Sequence, residues 1–331
     1  HFASNYTHID DFVESVRMMT TQGAMESRRL PGSGAGPSPD RMMIGSEGTL
    51  GFITRAWMRL QDRPRFRASA SVSFAAMPQA AAAVRAISQA GLFPSNCRLL
   101  DPLEALVNGV GNGSTALLVL AFESADHPLQ AWMSRALELV ADHGGRWDQA
   151  SVERSMATAA VAAQEEGEHR RGAAGDWRNQ FLRAPYYRNY LTPAGLILDT
   201  FETAITWDRF DAFYAGVRER VGKVLKEVSG AEPMLSCRFT HVYPDGPAPY
   251  FTLYCMGSKT GDMGAMLDRW RTIKLAANEA VTSLGGTVTH HHAVGRDHRP
   301  LGYDMQVAPL FGRAFSGARQ AMDTTGMMNP G

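Results

Sequence analysis

The sequence has no excess of positive or of negative charge. Lys plus Arg and Asp plus Glu each number 33 among 331 residues, so the formal net charge is zero. A protein that binds nucleic acid through its phosphates is expected to be basic overall or to carry long basic runs. The charge balance therefore argues against a nucleic-acid-binding protein.

Cysteines and long apolar runs are also scarce. Cys97, Cys237 and Cys255 are odd in number and widely spaced. They fit neither a disulfide framework nor a zinc motif and suit a reducing compartment. The longest apolar run, ALLVLAF at 116–122, has the length of a buried strand, far below the roughly 18 residues of a membrane span. With no targeting segment after His1, we expect a cytoplasmic location in a bacterium; for a eukaryotic source it stays open.

The hydrophobic pattern predicts an α+β fold. Predicted strands lie within 11–27 and at 68–74, 114–124, 196–207, 236–243, 250–256 and TVTHHH, and predicted helices lie at 78–89, 127–143, 208–228 and 263–284. A strand–helix–strand unit recurs at 68–124 and 196–256, as in duplicated ferredoxin-like folds. The polar stretch 152–192 is predicted to be a helical excursion from the core.

A glycine-rich segment precedes a strand-like stretch. It consists of Gly45, Ser46, Glu47, Gly48, Thr49, Leu50 and Gly51. Glycine lets the backbone approach a bulky ligand because no Cβ intervenes. Consecutive N–H groups in such a turn can donate hydrogen bonds to phosphate oxygens or to a polar ring edge. On these residues alone, a plain turn before a strand is an equally good interpretation.

Three consecutive histidines, His290, His291 and His292, stand in THHHAVGR. A metal site, a proton relay, composition or a cloning remnant can each produce such a run, although an internal triplet is short for a tag. In a strand, His290 and His292 would face one way and His291 the other. Zinc needs convergent ligands from separated positions, so we expect no metal site. Histidine titrates near neutrality, which suits proton transfer.

Several motifs follow one another along the chain: GSEGTLGFIT, RLLD at 98–101, TFETAITWDRF at 200–210, SCRFTHVY at 236–243, THHHAVGR and the closing MNPG. Their order resembles the vanillyl-alcohol oxidase-type (VAO/PCMH) family of FAD enzymes, and most closely its alkyldihydroxyacetonephosphate synthase branch. The resemblance covers essentially the whole chain. EGTLG indicates only the broad family, whereas the FET, CR.T and HHH motifs together are specific to the synthase branch.

The resemblance implies FAD as cofactor, contacted by the Gly45–Gly51 segment, and a three-part organisation. Residues 1–64 would be the C-terminal remnant of the FAD-binding domain, 65–310 a ferredoxin-like antiparallel-sheet cap that binds substrate, and 311–331 a segment returning to the FAD domain. His1 would lie well past the family's pyrophosphate loop. We therefore expect a fragment that binds FAD weakly by itself, or a second chain that supplies the missing half.

The resemblance also assigns site residues. Tyr250 would transfer protons beside the flavin together with the three histidines, and Arg188 would bind substrate, since a guanidinium suits phosphate or carboxylate. From the residues alone, Arg188 fits a solvated surface position and Tyr250 a strand-filling one. A phenol with an ordinary pKa near 10 is a poor base at neutral pH. Ala293 stands where the family has glycine.

The implied reaction uses FAD without net oxidation. A fatty alcohol replaces the acyl group of acyl-dihydroxyacetone phosphate and forms an ether-lipid precursor. The expected partners are these lipid substrates, a second copy of the chain in a homodimer and a peripheral membrane contact, without nucleic acid. Two alternatives stay open. One is a flavin-dependent D-2-hydroxy-acid dehydrogenase, whose relatives carry metal-liganding histidines; the other is a non-catalytic binding module.

Overall fold

The computed structural model describes residues 9–31, 35–159, 183 and 186–330. They fall into two compact units, a larger one within Arg63–Met305 and a smaller one made of Tyr6–Asp62 and Gln306–Gly331. Within these described ranges, no helix has the length and apolar character needed to span a bilayer. Most of the predicted excursion 152–192 lies outside the described residues.

The smaller unit contains a three-stranded antiparallel sheet in the order β2-β1-β3. Its elements are α1 (Ile9–Phe12), β1 (Val13–Thr20), β2 (Gly23–Glu26), α2 (Pro39–Met43), β3 (Phe52–Met58) and α10 (Pro309–Met322). Val16, Met18, Met43 and Leu50 form its small core. The glycine-rich segment lies between α2 and β3.

The larger unit is built on a seven-stranded sheet in the order β7-β4-β6-β5-β9-β10-β8. Its strands are β4 (Phe66–Phe74), β5 (Asn96–Leu100), β6 (Ala116–Ser124), β7 (Arg146–Trp147), β8 (Leu196–Glu202), β9 (Met234–Val242) and β10 (Pro247–Met256). All neighbouring strands run antiparallel. The predicted α+β fold with an antiparallel sheet is therefore confirmed.

Most helices of the larger unit cover one face of this sheet. The helices of the larger unit are α3 (Met77–Gln89), α4 (Pro102–Val107), α5 (Gln130–Asp142), α6 (Gln149–Ala159), α7 (Phe210–Ser229), α8 (Met263–Ser283) and α9 (Asp304–Gln306), with a π-type turn at Arg299–Tyr303. Alternate residues of β6, including Leu118, Leu120 and Phe122, are buried in the core shared with α3, α5, α7 and α8, as the period of two predicts. Val119 points the other way and packs against Ala105 of α4. Burial of each such side chain stabilises the fold by about 1.5–3 kcal/mol.

The opposite face of strands β8, β10 and β9 carries polar side chains. Phe201 and Phe251 lie in the helix-covered core. Their strand neighbours Thr200, Glu202 and Tyr250 must point the other way, because side chains alternate along a strand. We call this surface the polar face.

A β-bulge in β9 changes which side chains reach the polar face. Phe239 pairs with Pro249 of β10. The next pair along the ladder joins His241 to Ala248, which leaves Thr240 as the extra residue. Such an insertion reverses the alternation beyond it. His241 therefore joins the polar face, which it would not reach in a regular strand.

The turn between β9 and β10 is held against the segment after β8. The Ile205 N–H donates to the Pro247 carbonyl at 3.2 Å, and the Trp207 N–H donates to the Asp245 carbonyl at 3.0 Å. A Cβ added at Gly246 would overlap the Ile205 carbonyl oxygen. Only glycine allows this close approach.

We expect Gly246→Ala to lower the free energy of unfolding by about 1–3 kcal/mol, since backbone must move to admit the methyl group. The matched control is Gly222→Ala within α7, where the added Cβ would meet only Pro233 side-chain atoms, the nearest at 3.6 Å. Alanine favours the helix at that position. Urea unfolding of both variants checks this; equal losses of stability would contradict it.

Candidate active site

Glu202, the last residue of β8, anchors the histidine triplet. Its Oε1 accepts the backbone N–H groups of His290 (3.2 Å), His291 and His292 (2.5 Å). The glutamate is only 2% exposed. Burying a carboxylate without hydrogen bonds is unfavourable, and three amide donors offset that cost. The backbone of the triplet consequently curves around one oxygen atom.

The predicted strand over TVTHHH is wrong, because residues 287–292 form no strand and the chain bends at 288 and at 290–292. Successive N–H groups of a strand point to opposite sides, whereas the three of the triplet point to the same carboxylate. Two threonine hydroxyls support the bend. Thr287 donates to the Thr289 carbonyl and Thr289 to the His292 carbonyl, each at 3.0 Å. The three rings therefore do not alternate between two faces.

His290 and His291 converge with residues of the bulged strand. The His290 Nε2 lies 3.0 Å from the Tyr243 hydroxyl, and the His291 ring stacks on His241 with centroids 4.0 Å apart. The Nδ1 atoms of His290 and His291 are 2.5 Å apart. One of these two nitrogens must carry the proton and the other accept it.

His241, His290 and His291 each offer a ring nitrogen, and these atoms lie within 4.8 Å of one another. Burial, followed by the neighbouring His291 and His290, lowers the pKa of His241 to about 2. A neutral imidazole is the form that binds a metal or accepts a proton. The sequence-based argument against a metal site assumed a regular strand, so that reason does not hold. The cluster has convergent donors of the kind that zinc prefers.

Tyr250 lies beside the third histidine. Its hydroxyl donates to Thr200 Oγ1 at 2.9 Å, and its ring meets the His292 ring edge to face, 5.5 Å between centroids. The Arg238 guanidinium lies over the ring at 4.0 Å. Burial raises the pKa of Tyr250 even though Arg238 and the Thr200 hydrogen bond act to lower it. At neutral pH the group is a phenol and a proton donor.

Arg188 pairs with Asp199 rather than with Tyr250 or the triplet. Its Nη2 lies 3.1 Å from Asp199 Oδ1, while Trp270 Nε1 and Lys274 Nζ approach the other oxygen of this carboxylate at 2.8 and 3.4 Å. Asp199 precedes Thr200 in β8, so its side chain lies on the helix-covered side. The structure thus brings Tyr250 together with the triplet and ties Arg188 to Asp199. The Arg188 side chain is 54% exposed.

The glycine-rich turn of the smaller unit has a backbone suited to a close ligand. Gly45 and Gly48 adopt φ of 82° and 78°, and Glu47 adopts 50°. Thr49 donates its N–H (2.9 Å) and its hydroxyl (2.6 Å) to the Ser46 carbonyl. A Cβ at Gly45 or Gly48 would point into open space. This left-handed, open turn fits the approach of a flavin.

Two residues at the end of that segment serve packing. Leu50 is buried in the small core. A Cβ at Gly51 would meet the Met18 side chain, at 2.8 Å from its Cγ. Leu50 and Gly51 therefore hold the turn against β1.

Sequence reasoning assigned no role to Glu202, His241, Tyr243, Arg238 and Asp199. The first four lie inside the quoted motifs TFETAITWDRF and SCRFTHVY, so the motifs pointed to the right segments. Asp199 carried its own signal, since a carboxylate within an apolar strand is rarely buried without a partner.

Residues 63–331 match the family described as "FAD linked oxidases, C-terminal domain". The chain belongs to this family. FAD as the cofactor of the family is thereby confirmed, and so is the resemblance to VAO-type FAD enzymes drawn from the motifs.

Curated relatives of this FAD-linked oxidase domain carry two kinds of name. An alkyldihydroxyacetonephosphate synthase of Dictyostelium discoideum is 24% identical over 313 residues, which cover 91% of this chain and 49% of that protein. One of Trypanosoma brucei brucei is 22% identical over 90% of this chain and 48% of its own length. A probable mitochondrial D-lactate dehydrogenase of Danio rerio is 24% identical over 93% of this chain and 56% of its own length. The chain spans about half the length of these relatives.

Solved structures share the fold of this FAD-linked oxidase domain. An alkyldihydroxyacetonephosphate synthase superposes with a TM-score of 0.70 at 16% identity, covering 99% of this chain and 54% of that chain. A 4-ethylphenol oxidase from Gulosibacter chungangensis superposes with a TM-score of 0.62 at 13% identity, covering 98% and 66%. At these identities the likeness concerns the fold alone.

We expect Glu202→Ala to destabilise the larger unit by about 3 kcal/mol or more, because it leaves three amides without their acceptor. Glu202→Gln keeps one acceptor oxygen, and we expect a loss of about 1 kcal/mol. Urea unfolding measures both, and histidine amide resonances in ¹⁵N-histidine samples report whether the bend persists. The exposed Glu123→Ala on β6 is the control, since surface pairs contribute about 1 kcal/mol at most. Equal effects of Glu202→Ala and Glu123→Ala would refute the anchoring role.

His241 should make stability depend on pH. Its folded pKa of about 2 lies below the unfolded value near 6.5, so the unfolded chain binds more protons between these values and stability falls as pH falls. From pH 7 to pH 5, the stability of the wild type relative to His241→Gln should drop by about 2 kcal/mol. Chemical unfolding of both proteins at the two pH values tests this. Parallel pH curves would be inconsistent with a neutral buried His241.

Proposed function

We propose that the complete protein is an FAD-dependent enzyme of the alkylglycerone-phosphate synthase type. A fatty alcohol would replace the acyl group of acyl-dihydroxyacetone phosphate, with release of the fatty acid. The observation that carries the proposal is the grouping of Tyr250 with His290, His291 and His292 on the polar face. The synthase names of relatives that match about nine-tenths of this chain support it. Bound FAD would supply the chemistry at the substrate carbon.

The residues of the polar face would hold and move protons at that carbon. Tyr250 carries a proton on an oxygen already engaged with Thr200 at 2.9 Å. His290 and His291 share a proton between Nδ1 atoms 2.5 Å apart. His292 links these two proton carriers, because its ring meets Tyr250 edge to face and its backbone N–H binds the same Glu202 carboxylate as those of His290 and His291. Glu202 would thus keep the carriers in a fixed relation while substrate binds.

Arg188 would hold the phosphate of the substrate. Its guanidinium is more than half exposed and is oriented by Asp199 at 3.1 Å. Trp270 and Lys274 fix the same carboxylate from α8. An arginine oriented in this way can offer its remaining N–H groups to an anion in a charge-assisted, bidentate bond.

The cluster of His241, His290 and His291 also favours a second candidate, a flavin-dependent D-2-hydroxy-acid dehydrogenase. Its three nitrogens lie within 4.8 Å, and three imidazoles are a zinc-type donor set. A relative named as a D-lactate dehydrogenase supports this alternative. A divalent metal ion bound by this cluster would distinguish it from the synthase.

The first experiment uses the full-length protein that contains this chain, confirms FAD binding by flavin fluorescence, and measures incorporation of a labelled fatty alcohol into dihydroxyacetone-phosphate lipid. We expect Tyr250→Phe to reduce kcat at least about 100-fold, as loss of a proton-transferring group does. Arg188→Met should raise KM about 10-fold or more, the value of a charge-assisted contact. Arg135→Met, at an exposed arginine of α5, is the matched control and should leave both constants unchanged.

The outcomes separate the two candidates. Exchange activity that depends on Tyr250 supports the synthase. Absence of exchange, together with bound zinc or manganese and oxidation of D-lactate by an electron-accepting dye, would replace it with the dehydrogenase. FAD binding with neither activity would leave a binding module.

A further inference from the structure

Arg238 and Tyr250 form a cation–aromatic pair across two strands. They are direct partners in the register of β9 and β10, and the guanidinium carbon lies 4.0 Å from the ring centroid. A cation at this distance over an aromatic face is attracted to the ring. Its charge also favours a negative charge on the phenolic oxygen of the same ring.

The buried acid Glu104 fixes the position of Arg238 through an ion pair. Its Nη1 binds Glu104 Oε1, and Ser236 donates to Glu104 Oε2 at 2.5 Å. Glu104 is only 1% exposed. The buried Arg238 Nε has no hydrogen-bond partner within the described part of the chain. The guanidinium is therefore held along one edge, with its flat face against Tyr250.

A helix cap places Glu104 at this point. Asp101 caps α4 by accepting the Glu104 N–H at 2.7 Å through Oδ1, and its Oδ2 accepts the Cys237 N–H at 2.8 Å. The Asp101 carboxylate thus joins the start of α4 to Cys237 of β9, the residue before Arg238. Glu104 is therefore held in place by buried hydrogen bonds, unlike the acid of a surface ion pair.

The charged groups around Tyr250 are mixed in sign. Glu202 and Asp199 on β8 raise its pKa, burial raises it most, and Arg238 on β9 lowers it together with the Thr200 hydroxyl. The His292 ring meets Tyr250 edge to face, and Glu104 on α4 stands behind Arg238. Arg238 is thus the cation that counters two carboxylates and a dry environment, all of which oppose a phenolate.

We propose that Arg238, held by Glu104, is a positioning residue that makes the phenolate form of Tyr250 accessible during proton transfer. The inference rests on the proposed function for the role of Tyr250. The step moves one proton between the Tyr250 oxygen and the substrate and returns it before turnover ends; no electrons pass. Arg238 bears the positive charge that accompanies the phenolate in between.

The test measures the titration of the phenol at position 250 directly and does not depend on catalytic activity. Tyr250 is replaced by the more acidic 3,5-difluorotyrosine, and its ¹⁹F resonance is titrated with pH in the full 331-residue chain. We expect Arg238→Met to move the titration midpoint upward by at least about one pH unit, the size of effect of a nearby opposite charge. Arg238→Lys, which keeps the charge, should shift it less.

Arg55 supplies a matched control. It also lies over an aromatic ring, 5.4 Å from the centroid of Trp57, and belongs to the smaller unit. Arg55→Met should leave the midpoint of the label at position 250 unchanged. Equal midpoints for the parent protein and Arg238→Met would overturn the inference, as would equal shifts for Arg238→Met and Arg238→Lys.

A second measurement covers the case in which Arg238→Met does not fold. Arg238→Gln removes the charge and keeps an N–H donor for Glu104, so the midpoint should again move upward; an unchanged midpoint in this folded variant counts against the proposal. In the complete enzyme, Arg238→Lys should shift the falling limb of the kcat–pH profile, where Tyr250 loses its proton, to higher pH with KM unchanged. Loss of all exchange activity in the parent would defeat the proposed function, while the titration would still decide the role of Arg238.

Discussion

The candidate site depends on one carboxylate that accepts three consecutive backbone amides. Glu202 is buried at the end of β8, and the triplet lies far from it in sequence, at 290–292. The backbones of the three residues share one acceptor, yet each side chain meets a different partner outside the triplet. His290 meets Tyr243, His291 meets His241, and His292 meets Tyr250. A run of identical residues thereby acquires three different environments.

The bulge in β9 brings His241 to the side of the sheet where the histidine triplet lies. Without the extra residue at Thr240, His241 would point into the apolar core together with Phe239. With it, His241 shares the polar face with Arg238. Two local departures from regular structure, the bulge and the bend of the triplet, therefore place side chains from distant segments within contact of one another.

The sequence was informative where burial follows a simple period. The helix predicted at 208–228 is observed at Phe210–Ser229, and that predicted at 263–284 is observed at Met263–Ser283. Their apolar stripes pack against one large sheet, so local pattern and tertiary packing agree. The strand prediction for TVTHHH failed because β-branched residues favour extended backbone, whereas a remote glutamate determined the bend. No local pattern reveals a bulge, so His241 could not be placed on the polar face in advance.

The geometry of the triplet bears on the choice between proton transfer and metal binding. Tetrahedral zinc with Zn–N bonds of about 2.0–2.1 Å holds its ligand nitrogens roughly 3.3 Å apart. The Nδ1 atoms of His290 and His291 are 2.5 Å apart, closer than two ligands of one zinc ion and close enough for one nitrogen to donate its proton to the other. A metal that used both atoms would have to expel that proton and separate the rings, because metal ligands are deprotonated. Metal binding through these two Nδ1 atoms therefore requires the rings to move apart, whereas proton exchange between them does not.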